Sequence, residues 1–301
     1  MGVFLGLAAA LSWGTADFIA QFSARRIGAY RTLFFMQVAG FLSGVLYVIS
    51  RARGSGLSAM FADLASHWEL TLFMGGASGL SMLAFYSALE RGTISIVAPI
   101  SSSYPALTVL LAYGSGERLT SIRLAGVVCA LSGVMLASLA ENTPKSATEM
   151  ASAREAPRWA RQLAPGVIPA ILCALGFGVT YWALGFRAIP AWGAVNTVLI
   201  QRLSTVVWLT AAVTPLGRSL APPAGSGWLL IAVVGVLDAF GFLLSNYGFE
   251  REQVGVITVL GSMFGAVTLV LAFIFLGERL ARRQWFGVGL IFAGILLINS
   301  R

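Results

Sequence analysis

Residues Gly114–Gly133 read GSGERLTSIRLAGVVCALSG, and residues Ile274–Gly294 read IFLGERLARRQWFGVGLIFAG. A shift of 161 residues lays Gly116-Glu117-Arg118-Leu119 on Gly277-Glu278-Arg279-Leu280, Gly126 on Gly287 and Gly133 on Gly294. The likeness extends outward from there. A shift of 160 places Glu90-Arg91 on Glu250-Arg251 and Thr108 on Thr268. A shift of 164 places Ala10-Leu11, Gly14 and Gln37 on Ala174-Leu175, Gly178 and Gln201. Offsets that drift by a few residues are what loops of unequal length leave between two copies of one unit. In a soluble chain such a repeat signals a solenoid. In a membrane chain it signals a transporter with its site between the halves.

Composition decides between these. Hydrophobic residues make up 57% of the chain and charged residues 11%, and the mean hydropathy is +0.83. Soluble domains carry about 25% charged residues, so the charge here is too sparse to cover a water-facing surface. The net charge of +8 lies in short loops, where membrane proteins place Lys and Arg, and so gives no argument for a nucleic-acid partner. Met1–Phe22 has no basic leader, and Asp17 interrupts its apolar run, so it reads as a retained first span.

A span needs about 20 apolar residues. Ten runs qualify: Gly2–Phe22, Thr32–Ser50, Leu70–Leu89, Ile94–Tyr113, Ile122–Ala140, Gly166–Phe186, Ala194–Pro215, Gly227–Phe249, Val254–Phe275 and Gln284–Asn299. Between the fifth and sixth lies the polar stretch Glu141–Leu163, with Pro144 and Pro157, which reads as a linker. The expected organisation is a first repeat over 1–143, a linker over 144–163 and a second repeat over 164–301. Five runs per half is an odd number, so the second half must enter the membrane in the opposite sense. The expected fold is all-α: ten transmembrane helices as two inverted five-helix repeats around a central cavity. Orientation is ambiguous by charge, because Lys and Arg are more abundant on the side away from the N-terminus, which would place that terminus outside.

Ionisable side chains deep in a span are costly and mark function by default. Arg202 lies near the centre of the seventh run, Asp238 near the centre of the eighth, and Asp17 well inside the first. Two readings stand. Either Arg202 pairs with Asp238 or Asp17 only to lock helices together, or Arg202 meets an anionic substrate group while Asp238 or Asp17, the coupling candidates, exchanges a proton or meets a cationic group. The fourth run carries Pro99, Ser102, Tyr104 and Pro105, and its copy in the ninth carries Gly261, Ser262, Phe264 and Gly265. Interrupted segments at matching positions point to a transporter site. Gly261 and Gly265 are also spaced for close helix association. The expected hinges are therefore Pro99, Pro105, Gly261 and Gly265. Trp13, Gln37, Tyr86, Tyr181, Trp182, Asn196, Gln201 and Asn246 fill out the candidate cavity, each of them also compatible with ordinary packing.

Other chemistries find no support. The sequence has no GxxxxGK[ST] phosphate loop. Its one histidine, His67, and its two cysteines, Cys129 and Cys173, stand apart, so neither a metal site nor a Cys–His nucleophile is expected. No cofactor is expected.

Taken together, Ser12-Trp13-Gly14, Pro99, Tyr104-Pro105-Ala106-Leu107-Thr108 and the duplicated Gly-Glu-Arg-Leu motif resemble the drug/metabolite transporter superfamily, in its ten-span EamA-type members. The resemblance covers nearly the whole chain. It implies a basket of ten helices around a central cavity, with both termini in the cytoplasm, against the simple charge count. It also implies small substrates such as amino acids, other metabolites or drug-like molecules, often moved outward. The reading is a non-enzymatic secondary transporter, an exporter of a small organic solute, multi-pass in the inner (plasma) membrane, as a monomer or homodimer. The competing reading is a membrane receptor or scaffold that binds a ligand in the same cavity without moving it.

Overall fold

The computed structural model describes residues 1–52, 55–118, 120–138, 165–225, 227–277 and 282–299. The expected linker and the second Gly-Glu-Arg-Leu motif, from Glu278 onward, lie outside the described residues. In the first half the helices are α1 (Gly2–Ile27), α2 (Ala29–Ala52), α3 (Ser55–Ser66), α4 (Trp68–Arg91), α5 (Ile94–Ser101), α6 (Pro105–Gly114) and α7 (Ser121–Ser138). In the second half come α8 (Val167–Ala183), a π-helical turn (Leu184–Ala188), α9 (Ile189–Ala212), α10 (Gly227–Phe249), α11 (Val254–Gly261), α12 (Phe264–Leu276) and α13 (Arg282–Asn299).

Six helical stretches among the described residues are long and apolar enough to cross a membrane. They cover the first, second, third, eighth and ninth expected runs, and one 46-residue stretch, Val167–Ala212, joins the sixth and seventh. That stretch is not one straight helix. Gly193 stands at φ 71°, ψ 169°, a backbone conformation that only glycine adopts without strain, and it separates α8 and its π turn from the body of α9. α7 and α13, at 18 residues each, are among the helices outside the six, as is the fourth run.

The fourth and ninth runs are broken at matching places, Ser102–Tyr104 and Ser262–Met263. The break is not at Pro99, where α5 continues as helix; Pro105 instead opens α6, a position that needs no N–H of its own. The second half breaks without any proline. In both, i→i−3 backbone bonds tighten the chain: Ser103 N to Ile100 O (3.1 Å) and Ala106 N to Ser103 O (3.1 Å), then Met263 N to Leu260 O (3.2 Å) and Ala266 N to Met263 O (2.9 Å). A serine hydroxyl also donates to a carbonyl three residues back in each, Ser103 to Ile100 O and Ser262 to Val259 O, both at 2.7 Å. The local device is thus serine plus a 3₁₀ turn, with proline an accessory in one copy.

The halves interdigitate. α1 packs against α10 and α12, and its repeat equivalent α8 packs against α4 and α6. Glycines allow this. A Cβ on Gly14 would fall 2.5 Å from Val267 Cβ and 2.8 Å from the Phe264 carbonyl oxygen; on Gly178 it would fall 2.7 Å from Leu107 Cβ. The side chains of Thr268 and Thr108 then donate to the carbonyls of these same glycines, Gly14 (3.1 Å) and Gly178 (2.9 Å). A second reciprocal pair joins α2 to α10 at Gly40–Gly235 and α9 to α4 at Ser204–Gly75. α7 and α13 meet at equivalent positions, Cys129 Sγ approaching Leu290 O at 3.5 Å. Contacts that repeat with the two halves exchanged, or that join a position to its own copy, are what a two-fold relation between units generates.

Gly14→Ala is expected to destabilise the fold by about 1–3 kcal/mol through overpacking against backbone. Gly289→Ala, where a Cβ would meet nothing within 4 Å, is expected to be neutral; denaturant unfolding in detergent micelles compares the two.

Candidate functional site

The charged residues expected to matter come together in the interior. Arg202 on α9 is 3% exposed, Asp238 on α10 3% and Asp17 on α1 6%. Arg202 Nη2 donates to Asp238 Oδ2 at 2.7 Å, and Nη1 donates to Gln37 Oε1 on α2, also at 2.7 Å. The guanidinium carbon stands 5.7 Å from the centre of the Phe242 ring, a cation–π contact. Its room comes from Gly40, where a Cβ would collide with Nη1. Of the two alternatives for the arginine's partner, the structure selects Asp238. Asp17 takes part in neither of the ion pairs among the described residues, though it lies within electrostatic reach of Asp238.

An aromatic wall adjoins this charge. Trp13, four residues before Asp17 on the same face of α1, packs edge-on against Phe242 (5.1 Å between ring centres) and Tyr181 (5.9 Å). Tyr181 meets Tyr104 at 4.6 Å, and Tyr104 stacks with Phe264 at 6.3 Å. The Tyr104 hydroxyl donates to Thr258 O on α11 (3.2 Å), so the two broken runs touch. Ser102 sits against Gly265, where a Cβ would lie 2.6 Å from Oγ. Gln201 Nε2 donates to Ser78 Oγ at 2.8 Å, and Tyr86 donates its hydroxyl to Met36 Sδ. Several buried polar atoms here have no protein partner, among them Trp13 Nε1, Gln21 Oε1, Arg202 Nε and Ser245 Oγ. Such orphans are costly and rare in packed interiors, and Arg202 Nε is one of them within the ion pair itself.

Three expected members sit apart from this cluster. Trp182 donates Nε1 to Ser115 Oγ (2.8 Å) and stacks on Phe186, at the end of α6. Asn196 donates Nδ2 to Asp63 Oδ2 on α3 at 2.7 Å, tying a helix that the hydropathy reading passed over to the start of α9. Asn246 donates Nδ2 to Ala194 O (3.1 Å), beside the Gly193 break. Conversely, Phe177, Phe242 and Ser78 belong to the cluster and were not anticipated; Gln21 is buried one turn beyond Asp17 on α1. Gln21 follows Asp17 by four residues, Phe242 follows Asp238 by four and Phe177 precedes Tyr181 by four, so helical period alone could have named them.

The repeat also organises the ends. Glu90 Oε2 accepts from Ala29 N at the start of α2 (3.2 Å), and its copy Glu250 accepts through Oε1 from Ala194 N just after the Gly193 break (3.0 Å). Glu117, from the first Gly-Glu-Arg-Leu motif, accepts from Gly255 N at the start of α11 (3.3 Å). Carboxylates at helix N-termini are stabilised by the helix dipole. Glu117 of the first half thus caps a helix of the second.

A family model described as the EamA-like transporter family matches residues 1–139 and again 164–300. The chain belongs to the EamA-like transporter family. It is accordingly a multi-pass membrane protein and a transporter of the drug/metabolite type. Its similarity to a probable 4-amino-4-deoxy-L-arabinose-phosphoundecaprenol flippase subunit ArnE of Pseudomonas fluorescens is 37% identity over 75 residues, 25% of this chain and 63% of that protein. This family member thus matches less than two thirds of that relative's length. A solved crystal structure is similar over 99% of this chain and 96% of its own, with a TM-score of 0.73 at 20% identity, a likeness of fold.

Removing one partner of a buried ion pair strands the other charge. Arg202→Gln and Asp238→Asn are each expected to cost about 3–5 kcal/mol, and the double variant less than their sum. A double-mutant cycle by denaturant unfolding reads the coupling.

Proposed function

We propose that this EamA-family chain is a secondary transporter that exports a small organic solute across the inner (plasma) membrane by alternating access. Ten spans, as two inverted five-helix repeats, would enclose the substrate path, with the broken α5/α6 and α11/α12 pairs hinging around Gly261, Gly265, Pro105 and Pro99. The observation that carries the reading is the buried Arg202–Asp238 pair with Asp17 close by. An ion pair kept in the interior at such desolvation cost is weak as a stabiliser but suits a site that must release one partner to bind a substrate.

In this reading Arg202 exchanges Asp238 for an anionic group of the substrate. Asp17, outside any ion pair among the described residues, and Asp238 supply the proton coupling. Trp13, Tyr104, Tyr181 and Phe264 face the apolar body, with Gln37, Tyr86, Ser102, Gln201 and Ser262 as polar contacts. Trp182, Asn196 and Asn246 serve the helix ends. Each 100 mV of membrane potential supplies about 2.3 kcal/mol per charge moved, which drives such export without ATP. The flippase name of the relative bears on mode of action only through a quarter-length match, so the cargo proposed is the family's small solutes and not a lipid-linked sugar.

The test is flux in proteoliposomes under an imposed pH gradient, screened with amino acids, purines and organic cations. Asp17→Asn, which leaves the ion pair intact, is expected to abolish gradient-driven accumulation while the protein remains folded. A ligand that binds the purified chain yet never crosses the liposome membrane would establish the receptor reading instead.

A further inference from the structure

A second site lies at one end of the helices, apart from the ion pair. A cavity of about 270 Å³ opens where the α1–α2 turn meets the C-terminal ends of α4 and α9. Its wall carries Arg31, Arg91 and Arg218 against the single carboxylate of Glu90, with the Tyr30 and Ser87 side chains beside them. Three guanidinium groups and one carboxylate leave an excess of positive charge in a small concave space. One oxygen of that carboxylate is already engaged within the wall, since Glu90 Oε2 accepts from Ala29 N. None of the three arginines takes part in an ion pair among the described residues. Arg31 is the most committed: Nη2 donates to Pro222 O at 3.1 Å, while Nε is buried without any partner.

The walls are fixed. Arg218 N closes the end of α9 by bonding to Val213 O (2.8 Å). Arg25 reaches across from α1 to the Gly92 carbonyl (2.9 Å). The start of α2 and the ends of α1 and α4 all meet here, so the helix dipoles offset one another and the arginine charge sets the sign.

We infer that this cavity is an anion site for a phosphate group, held by Arg31, Arg91 and Arg218 at the membrane–water boundary. Arginine is the side chain suited to phosphate oxygens, because its fork of N–H donors matches their geometry. The volume lies just below the ~300–1,000 Å³ typical of drug-sized pockets, so it admits a headgroup rather than a larger organic ligand. The phosphate can arrive on an anionic phospholipid or free in water. The site is independent of the transport reading, since it shares no residue with the buried pair.

The experiment titrates the full chain in detergent with dioleoylphosphatidylglycerol, with diacylglycerol, which lacks phosphate, and with inorganic phosphate, following the thermal unfolding temperature. Phosphatidylglycerol is expected to raise it and diacylglycerol to leave it unchanged. A rise with inorganic phosphate alone would assign the site to a soluble anion. Arg91→Gln and Arg218→Gln should each weaken the apparent affinity about tenfold, the loss of one charge-assisted bond; Arg26→Gln, outside the cavity, should not. Because Arg31 also holds the Pro222 carbonyl, its variant is secondary to these two. No rise with either phosphate probe, or a rise equal in wild type, Arg91→Gln and Arg218→Gln, would overturn the proposal.

Discussion

The structure depends on backbones that approach within the reach of a single methyl group. Helices surrounded by lipid gain little from hiding apolar side chains, since the tails outside are as apolar as leucine, so association rests on contact area and on hydrogen bonds between helices. Gly14 and Gly178 supply both: each lets a partner helix lie against bare backbone, and each offers its carbonyl to a threonine of that partner. Because the two contacts join opposite halves, neither half completes its own packing. The first helix of each copy is seated inside the other copy, which brings Trp13 beside Tyr181 and Phe242 and sets Asp17 near Asp238.

Upon this repeated scaffold the charge is laid asymmetrically. By the repeat offsets, Asp17 corresponds to Tyr181, Arg202 to Val38 and Asp238 to Ser78. The copies of the charged residues are thus uncharged: Gln201 bonds Ser78 directly, whereas its copy Gln37 and Asp238, the copy of Ser78, are bridged by the Arg202 guanidinium. Duplication supplies a frame whose contacts recur with the two halves exchanged. The departure from duplication concentrates cost and chemistry in one place, where an interior arginine is tolerated only with every neighbour arranged around it. The same frame forms the two carboxylate caps, Glu90 and Glu250, one at each corresponding helix start.

Much of this was legible before any coordinate. Apolar runs gave the helices because a bilayer-length stretch has little choice but to be helical, and Gly227–Phe249 has the bounds its sequence implied. Asp17, Arg202 and Asp238 stood out because charge in such runs is rare. What escaped was whatever depends on partners distant in sequence. α3 is short and mixed in polarity, and its place comes from packing against α2 and α9 and from Asp63 holding Asn196. Trp182 and Asn196 look like cavity residues by type, but their positions along α8 and α9 carry them to helix ends. The interruption of the fourth run invited attribution to Pro99, whereas the proline-free ninth run turns at the same place with the same 3₁₀ geometry and a serine one position earlier.

By itself, the sequence determined that the chain lives in a membrane, that it is one unit written twice, and which three side chains could not be idle there. Those are properties of composition, period and solvation, each readable one segment at a time. Only the tertiary structure decided that Arg202 takes Asp238 rather than Asp17, and that the aromatic wall spans both halves. It alone also gathered Arg31, Arg91 and Arg218 around one hollow. The physical reason is that a pairing energy is settled by distance in space, and close glycine crossings between the halves set those distances without leaving any periodic trace along the chain.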